Sequence, residues 1–380
     1  MRRKITIATD SFKGSLTSAK ATAALAEGVL SVCPTAIVEQ IPLADGGEGS
    51  VEVLLGALGG RRVELILSDP LGRTIRGHYA ILADGVAVVE VAQAVGLGLL
   101  APSERNPMVT SSRGVGQMIR HAIEVEGARR VVVCLGGSST CDSGVGMIAE
   151  LGFELFDSEG HRVEPLACNL TQVATIEATP FARELMIGGV EFEVAVDVMS
   201  PLCGPLGAAC LFAPQKGASP SDVEALEEGL DHFAEVALRF SGRDMRSVEG
   251  AGAAGGMGGA LWALLGATIY SGGELITQRC CFEQRAEGSR VVITGEGRLD
   301  RQTMLGKLPS VVLHRAKGMG LAVVAVGGMV EWSEELLGAG FDQIVEATPE
   351  GMPLAEALKI EVAQDNLRRV GHQLAERWLL

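Results

Sequence analysis

Aromatic side chains are scarce in this 380-residue chain, at 4%, so its cores must be built from aliphatic residues. Positive charge is in deficit as well: 32 Lys and Arg stand against 47 Asp and Glu, for a formal net charge of -15. With no long Lys/Arg cluster to reverse that average locally, the chain repels phosphate backbones, and nucleic acid is not an expected partner. A long hydrophobic run is missing near the start, where Arg2, Arg3 and Lys4 lead into only a handful of apolar residues before Asp10. That is too few for a signal-peptide core, so the expected compartment is the cytoplasm and no membrane partner is expected. Residues 250–273 carry no charge over 24 positions, but nine of them are Gly. They read as a glycine loop opening a buried helix rather than as a membrane span. The eight cysteines form no CxxC pair and have no His at metal-ligand spacing, which predicts reduced, mostly buried thiols. The six scattered histidines form no triad and no metal spacing.

What is abundant is aliphatic residue and glycine. A hydrophobic fraction of 47% with 50 Gly describes a compact fold with many tight turns, and the length calls for two domains. Short β-rich runs at 4–9, 36–41, 130–135, 191–196, 290–294 and 321–326 alternate with helical patterns. The clearest helix is 111–126, with Val115, Met118, Ile119, Ala122 and Ile123 at helical spacing. Such alternation predicts α/β architecture with parallel sheets covered by helices. Residues 73–82 and 85–92 follow one another without a helix and read as a hairpin. The expected organisation is a doubly wound α/β domain from 1–69 plus 288–380, interrupted by an inserted α/β domain at 70–287.

Polar residues and glycines gather where strands end. The first strand runs into Asp10, Ser11, Lys13 and Gly14; the second into Asp45, Gly46, Gly47 and Glu48. The run ending at Leu135 meets Gly136, Gly137, Ser138 and Asp142; the next meets Asp197; the next meets Gly295, Glu296, Arg298 and Asp300. In open α/β sheets ligands bind at that edge. Glycines let backbone N–H groups approach phosphate oxygens, and Gly255 and Gly256 of the uncharged stretch join this set. Lys13, Lys216, Arg298 and Lys307 can bind anions. Asp10, Asp45, Glu48, Asp197, Glu296 and Asp300 can hold Mg²⁺ or take a hydroxyl proton, with Asp45, Glu48 and Asp300 as the metal candidates and Asp197 as the base. Asp142, Ser138 and Ser139 read instead as helix caps. Together the set fits phosphoryl transfer, in which positioning and charge stabilisation do most of the chemistry.

Two kinase signatures are missing. There is no GxxxxGK[ST] loop, since Leu308 follows Gly306-Lys307, and there is no HRD or DFG string. Gly250, Gly252 and Gly255 match GxGxxG, yet the charged segment 243–249 before them is no strand, which argues against a dinucleotide site. A nicotinamide-dependent oxidoreductase and a non-catalytic small-molecule binding protein therefore stay as lesser alternatives.

Seven collinear strings make the chain resemble the bacterial glycerate kinase family over nearly its whole length: DSFKGSL from Asp10, PLADGGEGS from Pro42, DPLGR from Asp69, GGSSTCDSGVGM from Gly136, PQKGAS from Pro214, GAGAAGGMG from Gly250 and ITGEGRLDRQT from Ile293. The resemblance implies a Rossmann-like domain and an inserted domain with the active site in the cleft between them, ATP and Mg²⁺ as cofactors, and glycerate as the phosphoryl acceptor. A kinase of a related hydroxy acid is the alternative, because Cys141 stands where the family commonly has Asn and Met199-Ser200 where it has Thr-Asn. Members with the DSFKGS and ADGGEGS strings imply 2-phosphoglycerate, although the primary hydroxyl is less hindered. A cationic clamp by Lys13 or Arg298 on the carboxylate would offset its repulsion of the incoming phosphoryl group. Whether the chain forms a homo-oligomer is left open by the sequence.

Overall fold

The computed structural model describes residues 3–380, apart from the side chain of Leu305. In chain order the strands are β1 (Lys4–Thr9), β2 (Ile37–Gln40), β3 (Gly60–Ser68), β4 (Thr74–Leu82), β5 (Ala87–Glu90), β6 (Arg130–Cys134), β7 (Phe153–Phe156), β8 (Thr175–Ala178), β9 (Glu191–Val196), β10 (Thr268–Ser271), β11 (Val291–Leu299), β12 (Ala322–Val330) and β13 (Gln343–Glu346). They are distributed over two compact units, one formed by residues 3–45, 52–57 and 273–380, the other by residues 46–51 and 58–272.

The first unit holds an all-parallel sheet in the order β13-β12-β11-β1-β2. Parallel strands are covered on both faces, which is why β1 and the first halves of β11 and β12 are largely aliphatic and β-branched, with Ile5, Ile7, Val291, Ile293 and Val324 fully buried. The helices Ser18–Val32 and Ile360–Leu379 pack against each other backbone to backbone. A Cβ at Gly28 would lie 2.0 Å from the Arg368 carbonyl oxygen, and one at Gly371 would lie 2.2 Å from that of Leu25. Numbered within the unit, the strand order is 2-1-3-4-5, so the order reverses between β1 and β11. Ligands bind at the carboxyl ends beside such a switch point.

The second unit holds a sheet ordered β10-β9-β6-β5-β4-β3, parallel from β10 to β5 and antiparallel from β5 to β3, with β7 and β8 forming a separate antiparallel pair. The helix Arg113–Glu124 buries the five residues its spacing singled out. The uncharged stretch folds as a turn, Ala253–Gly256, and a helix, Met257–Leu265, with Trp262 alone of that helix not fully buried. Among the described residues no helix is long and apolar enough to cross a membrane.

The structure departs from the sequence reading at three places. Strand β3 pairs with β4 along its whole length, Gly60 opposite Leu82 through Ser68 opposite Thr74, and so travels with the second unit. The switch between units therefore falls near residue 58 rather than near Pro70. At the return, Lys4 Nζ donates to the Arg285 carbonyl and Arg285 Nε to Glu39 (2.7 Å), which ties residues 273–287 to the first unit rather than to the insert. The cysteines are all free, but only Cys33, Cys134, Cys141 and Cys280 are buried; Cys168, Cys210 and Cys281 are exposed.

Candidate active site

Strands β1 and β11 flank the switch point of the first unit in register, Thr9 opposite Gly295. The next residues along the two strands are Asp10 and Glu296, and the Asp10 N–H donates to the Gly295 carbonyl (2.9 Å). Both carboxyls are buried. Burial, and after it the charges of Asp45 and Glu296, hold the Asp10 carboxyl well above the usual carboxylate range, although the Ser11 N–H and Lys13 pull the other way. Burial likewise pushes Glu296 up to about 7, against the pull of Lys307 and of the Thr303 hydroxyl, which donates to Glu296 Oε1 (2.7 Å). A carboxyl poised near neutral pH suits proton transfer.

Cations surround this acidic centre. Lys13 Nζ stands 3.7 Å from Asp45 Oδ2, and Lys307 Nζ stands 3.9 Å from both Glu296 and Asp300. Arg298 pairs with Glu331 and lies 3.6 Å from Asp300 Oδ2. The Lys13 and Arg298 side chains are largely exposed, so each can turn to an arriving anion at little cost in lost ion pairing. Asp300, expected as a metal ligand, is a helix cap: its Oδ1 accepts from the Gln302 and Thr303 N–H groups (2.8 and 3.2 Å) while Oδ2 faces Arg298. Gly295, expected to meet phosphate, serves strand packing, because a Cβ there would lie 2.2 Å from the Val326 carbonyl oxygen.

Among the described residues no three His, Cys, Asp or Glu side chains are arranged to hold an ion by themselves. Mg²⁺ usually needs only one or two carboxylates, with phosphate and water completing its shell. The mutual repulsion of Asp10, Asp45 and Glu296 is the surplus negative charge that a hard divalent cation relieves, so these donors fit a cation that arrives with phosphate.

In the second unit, Gly46, Gly47, Gly136 and Asp197 are brought together. A Cβ at Gly136 would lie 2.5 Å from the Gly47 Cα and 3.6 Å from Asp197 Oδ2, and the Gly136 N–H points at the Gly46 carbonyl (3.4 Å). Glu48 is exposed on the same loop, and Gly137 is exposed beside Gly136. Lys216, expected to bind an anion, is buried, and its Nζ donates to Ser138 Oγ (3.1 Å) and the Thr140 carbonyl (2.7 Å). It braces the loop that carries Gly136 and Gly137; burial lowers its pKa, partly offset by Cys141, Asp142 and Asp197. Gly255 and Gly256 are buried with their N–H groups directed to the Gly252 carbonyl, so they pack rather than present donors. Asp142 is the cap it was read as, accepting from Ser112, Gly144 and Gly146.

One residue escaped the sequence reading. Glu90 ends β5, is buried, and accepts the Val51 N–H through Oε1 (2.7 Å), which fixes the loop bearing Gly46, Gly47 and Glu48. Its signal was a lone carboxylate closing the apolar run Ala87-Val-Val, again at a strand's carboxyl end.

The profile described as "Glycerate kinase family" matches residues 5–379. Glycerate kinase of Bacillus subtilis (strain 168) is 39% identical over 374 residues, covering 98% of this chain and 97% of that protein. Glycerate 2-kinase of Escherichia coli (strain K12) is 37% identical over 377 residues, covering 98% and 97%. A crystal structure from Salmonella typhimurium LT2, described provisionally as glycerate kinase 2, superposes with a TM-score of 0.86 at 35% identity, covering 99% of this chain and 98% of that one.

Proposed function

Because the chain belongs to the glycerate kinase family, we propose that it transfers the terminal phosphoryl group of ATP to the 2-hydroxyl of glycerate. The observation that carries the reading is the buried Asp10 and Glu296 pair at the switch point of the first unit, repelled by Asp45 and ringed by Lys13, Arg298 and Lys307. Phosphoryl transfer needs this combination of anion clamps beside carboxylates. In this reading Lys13 and Arg298 hold the carboxylate or the transferring phosphoryl group, and Asp197 orients or deprotonates the attacking hydroxyl. Asp45, with Asp10 and Glu296, would hold Mg²⁺, which supplies charge neutralisation to the phosphates when bound; Glu48 is a further donor. Ser11 and the loops of Gly46, Gly47, Gly136 and Gly137 complete the binding groups. The compartment that suits such a metabolite kinase is the cytoplasm.

The 2-hydroxyl is favoured by the likeness to the Escherichia coli glycerate 2-kinase and by the exposed cations, which can neutralise the substrate carboxylate. Coupling the reaction to enolase with no phosphoglycerate mutase tests it, since enolase dehydrates only the 2-isomer. Phosphoenolpyruvate should appear in step with ADP. ADP formed without phosphoenolpyruvate would move the reaction to the primary hydroxyl, and no ADP with glycerate would remove glycerate as substrate. A related hydroxy acid is the second reading, favoured by Ser200, whose buried Oγ has no hydrogen-bond partner among the described residues.

A further inference from the structure

We propose that a cavity wholly within the first unit takes the purine base of the nucleotide and that Asn366 reads the base's edge. The proposal rests on the kinase reading for the identity of its ligand. The cavity measures about 580 Å³, which is in the range of sites that enclose drug-sized molecules, and its lining combines charged and apolar side chains. Part of the lining is the acidic centre with Lys13 and Arg298; the rest includes Met329, Met352, Leu354, Ala357, Leu358 and Leu367, with Met329 opposite Arg298 in the strand ladder. Met329, Leu354 and Leu358 are 39%, 58% and 38% exposed. Large apolar side chains grouped in this way around one concavity mark a surface that a ligand covers. Gly328, which also lines the cavity, packs closely on its neighbours: a Cβ there would lie 2.6 Å from the Gly297 carbonyl oxygen and 3.4 Å from the Phe12 ring.

Of the two reactants, only the nucleotide has apolar faces to bury. Every carbon of glycerate bears oxygen, so glycerate gains nothing from the methionine and leucine wall. A nucleotide whose phosphates meet the charged groups can lay its base against the apolar side chains of the same cavity, where methionine sulfur and aliphatic carbon pack well on an aromatic plane. Asn366 adds an uncharged polar group to that apolar lining. It lies on the helix Ile360–Leu379, lines the cavity and is 8% exposed. Its amide nitrogen has only the weak acceptor Met352 Sδ at 3.8 Å, and among the described residues its amide oxygen has no hydrogen-bond partner. An amide so weakly engaged by the protein is available to a ligand in the cavity it lines. Its adjacent donor and acceptor complement the N7 and 6-amino groups of adenine.

Calorimetric binding of Mg-ADP and of Mg-pyrophosphate to the wild-type chain, Leu358→Glu and Asn366→Leu separates the base from the phosphates, with thermal melts to confirm folding. The wild type should bind ADP at least roughly tenfold more tightly than pyrophosphate. Each variant should lose about that factor for ADP, keep its pyrophosphate affinity, and raise the KM for ATP while leaving that for glycerate unchanged. Equal affinity of the wild type for ADP and pyrophosphate would overturn the proposal. So would unchanged ADP binding in Leu358→Glu, an exposed position whose replacement leaves the core intact. If the variants lose ADP as expected but the wild type does not turn over glycerate, the cavity stands and the substrate reading falls; normal ADP binding in both variants with active glycerate turnover means the reverse.

Discussion

Replacing Glu296 by Gln tests the electrostatic account of the active site in the ligand-free protein. In the unfolded chain Glu296 ionises near its ordinary 4.5, whereas in the folded chain burial holds it up to about 7. Between those values the folded state keeps a proton that the unfolded state has lost. Stability must therefore fall as pH rises from about 4.5 to about 7 and level off above that. At about 1.4 kcal/mol per pH unit the full effect is roughly 3 kcal/mol. The Gln side chain keeps an oxygen to accept the Thr303 hydroxyl but cannot ionise. The variant should match wild type near pH 4.5 and exceed it by roughly 3 kcal/mol at pH 8, while losing most of its turnover because it can no longer carry the charge or accept a proton. Asp10 is also displaced upward, in part by the Glu296 charge, so the substitution relieves that part as well and the measured difference contains both contributions with the same sign. Urea unfolding of both proteins at several pH values, with EDTA and no nucleotide, measures that difference. Stability curves that run parallel from acid to pH 8 would refute the reasoning, because a Glu that ionises normally in the fold gives no pH-dependent gain.

Two further substitutions probe the second unit. Asp197→Asn preserves shape while removing charge and basicity, so turnover should fall by roughly 10²- to 10⁴-fold with the urea midpoint near wild type; near-normal turnover would remove Asp197 as the base. Lys216→Met keeps the apolar stem but removes the Nζ that holds Ser138 and Thr140, at a cost of about 1–3 kcal/mol. Hydrogen exchange at residues 136–140 should quicken without ligand, and unchanged exchange would mean that Lys216 does not brace the loop.

The parts of the fold that were legible are those where apolar runs meet polar borders. Strands β1 and β9 begin and end at the residues that the sequence pattern indicated, because Asp10 closes the run Ile5-Thr-Ile-Ala-Thr and Asp197 closes Val194-Ala-Val. Strands β11 and β12 run five and four residues beyond the expected 294 and 326, for a reason sequence alone does not carry. Gly-x-Gly reads as punctuation in a single chain, but two glycine-bearing segments placed side by side continue each other's ladder, Gly295 opposite Val326 and Glu296 opposite Gly327. Strand β3 was hidden differently. Arg61, Arg62 and Glu64 interrupt its apolar pattern, since it is an edge strand that buries only Val63 and Leu67, and the domain boundary was misplaced with it.

The candidate site was legible as a gathering of residue types but not as a division of labour among its glycines. A glycine that meets phosphate and one that meets backbone look the same in sequence, and Gly255 shows how structure separates them. Its φ is +69°, and a Cβ there would lie 2.1 Å from the Thr140 carbonyl oxygen and 2.6 Å from the Cys141 Cα. Alanine at that position would incur about 1–2 kcal/mol for the left-handed backbone and about 1–3 kcal/mol for overpacking against main chain that cannot rotate away. Gly255→Ala should therefore lower unfolding stability by roughly 3 kcal/mol, read by urea melts in the absence of nucleotide. A phosphate-contacting glycine would behave oppositely, with a near-normal melt and weakened ADP binding. Wild-type stability in Gly255→Ala together with lost ADP affinity would return Gly255 to the nucleotide and undo its assignment as the residue that lets the Ala253–Gly256 turn close onto the loop of Thr140 and Cys141.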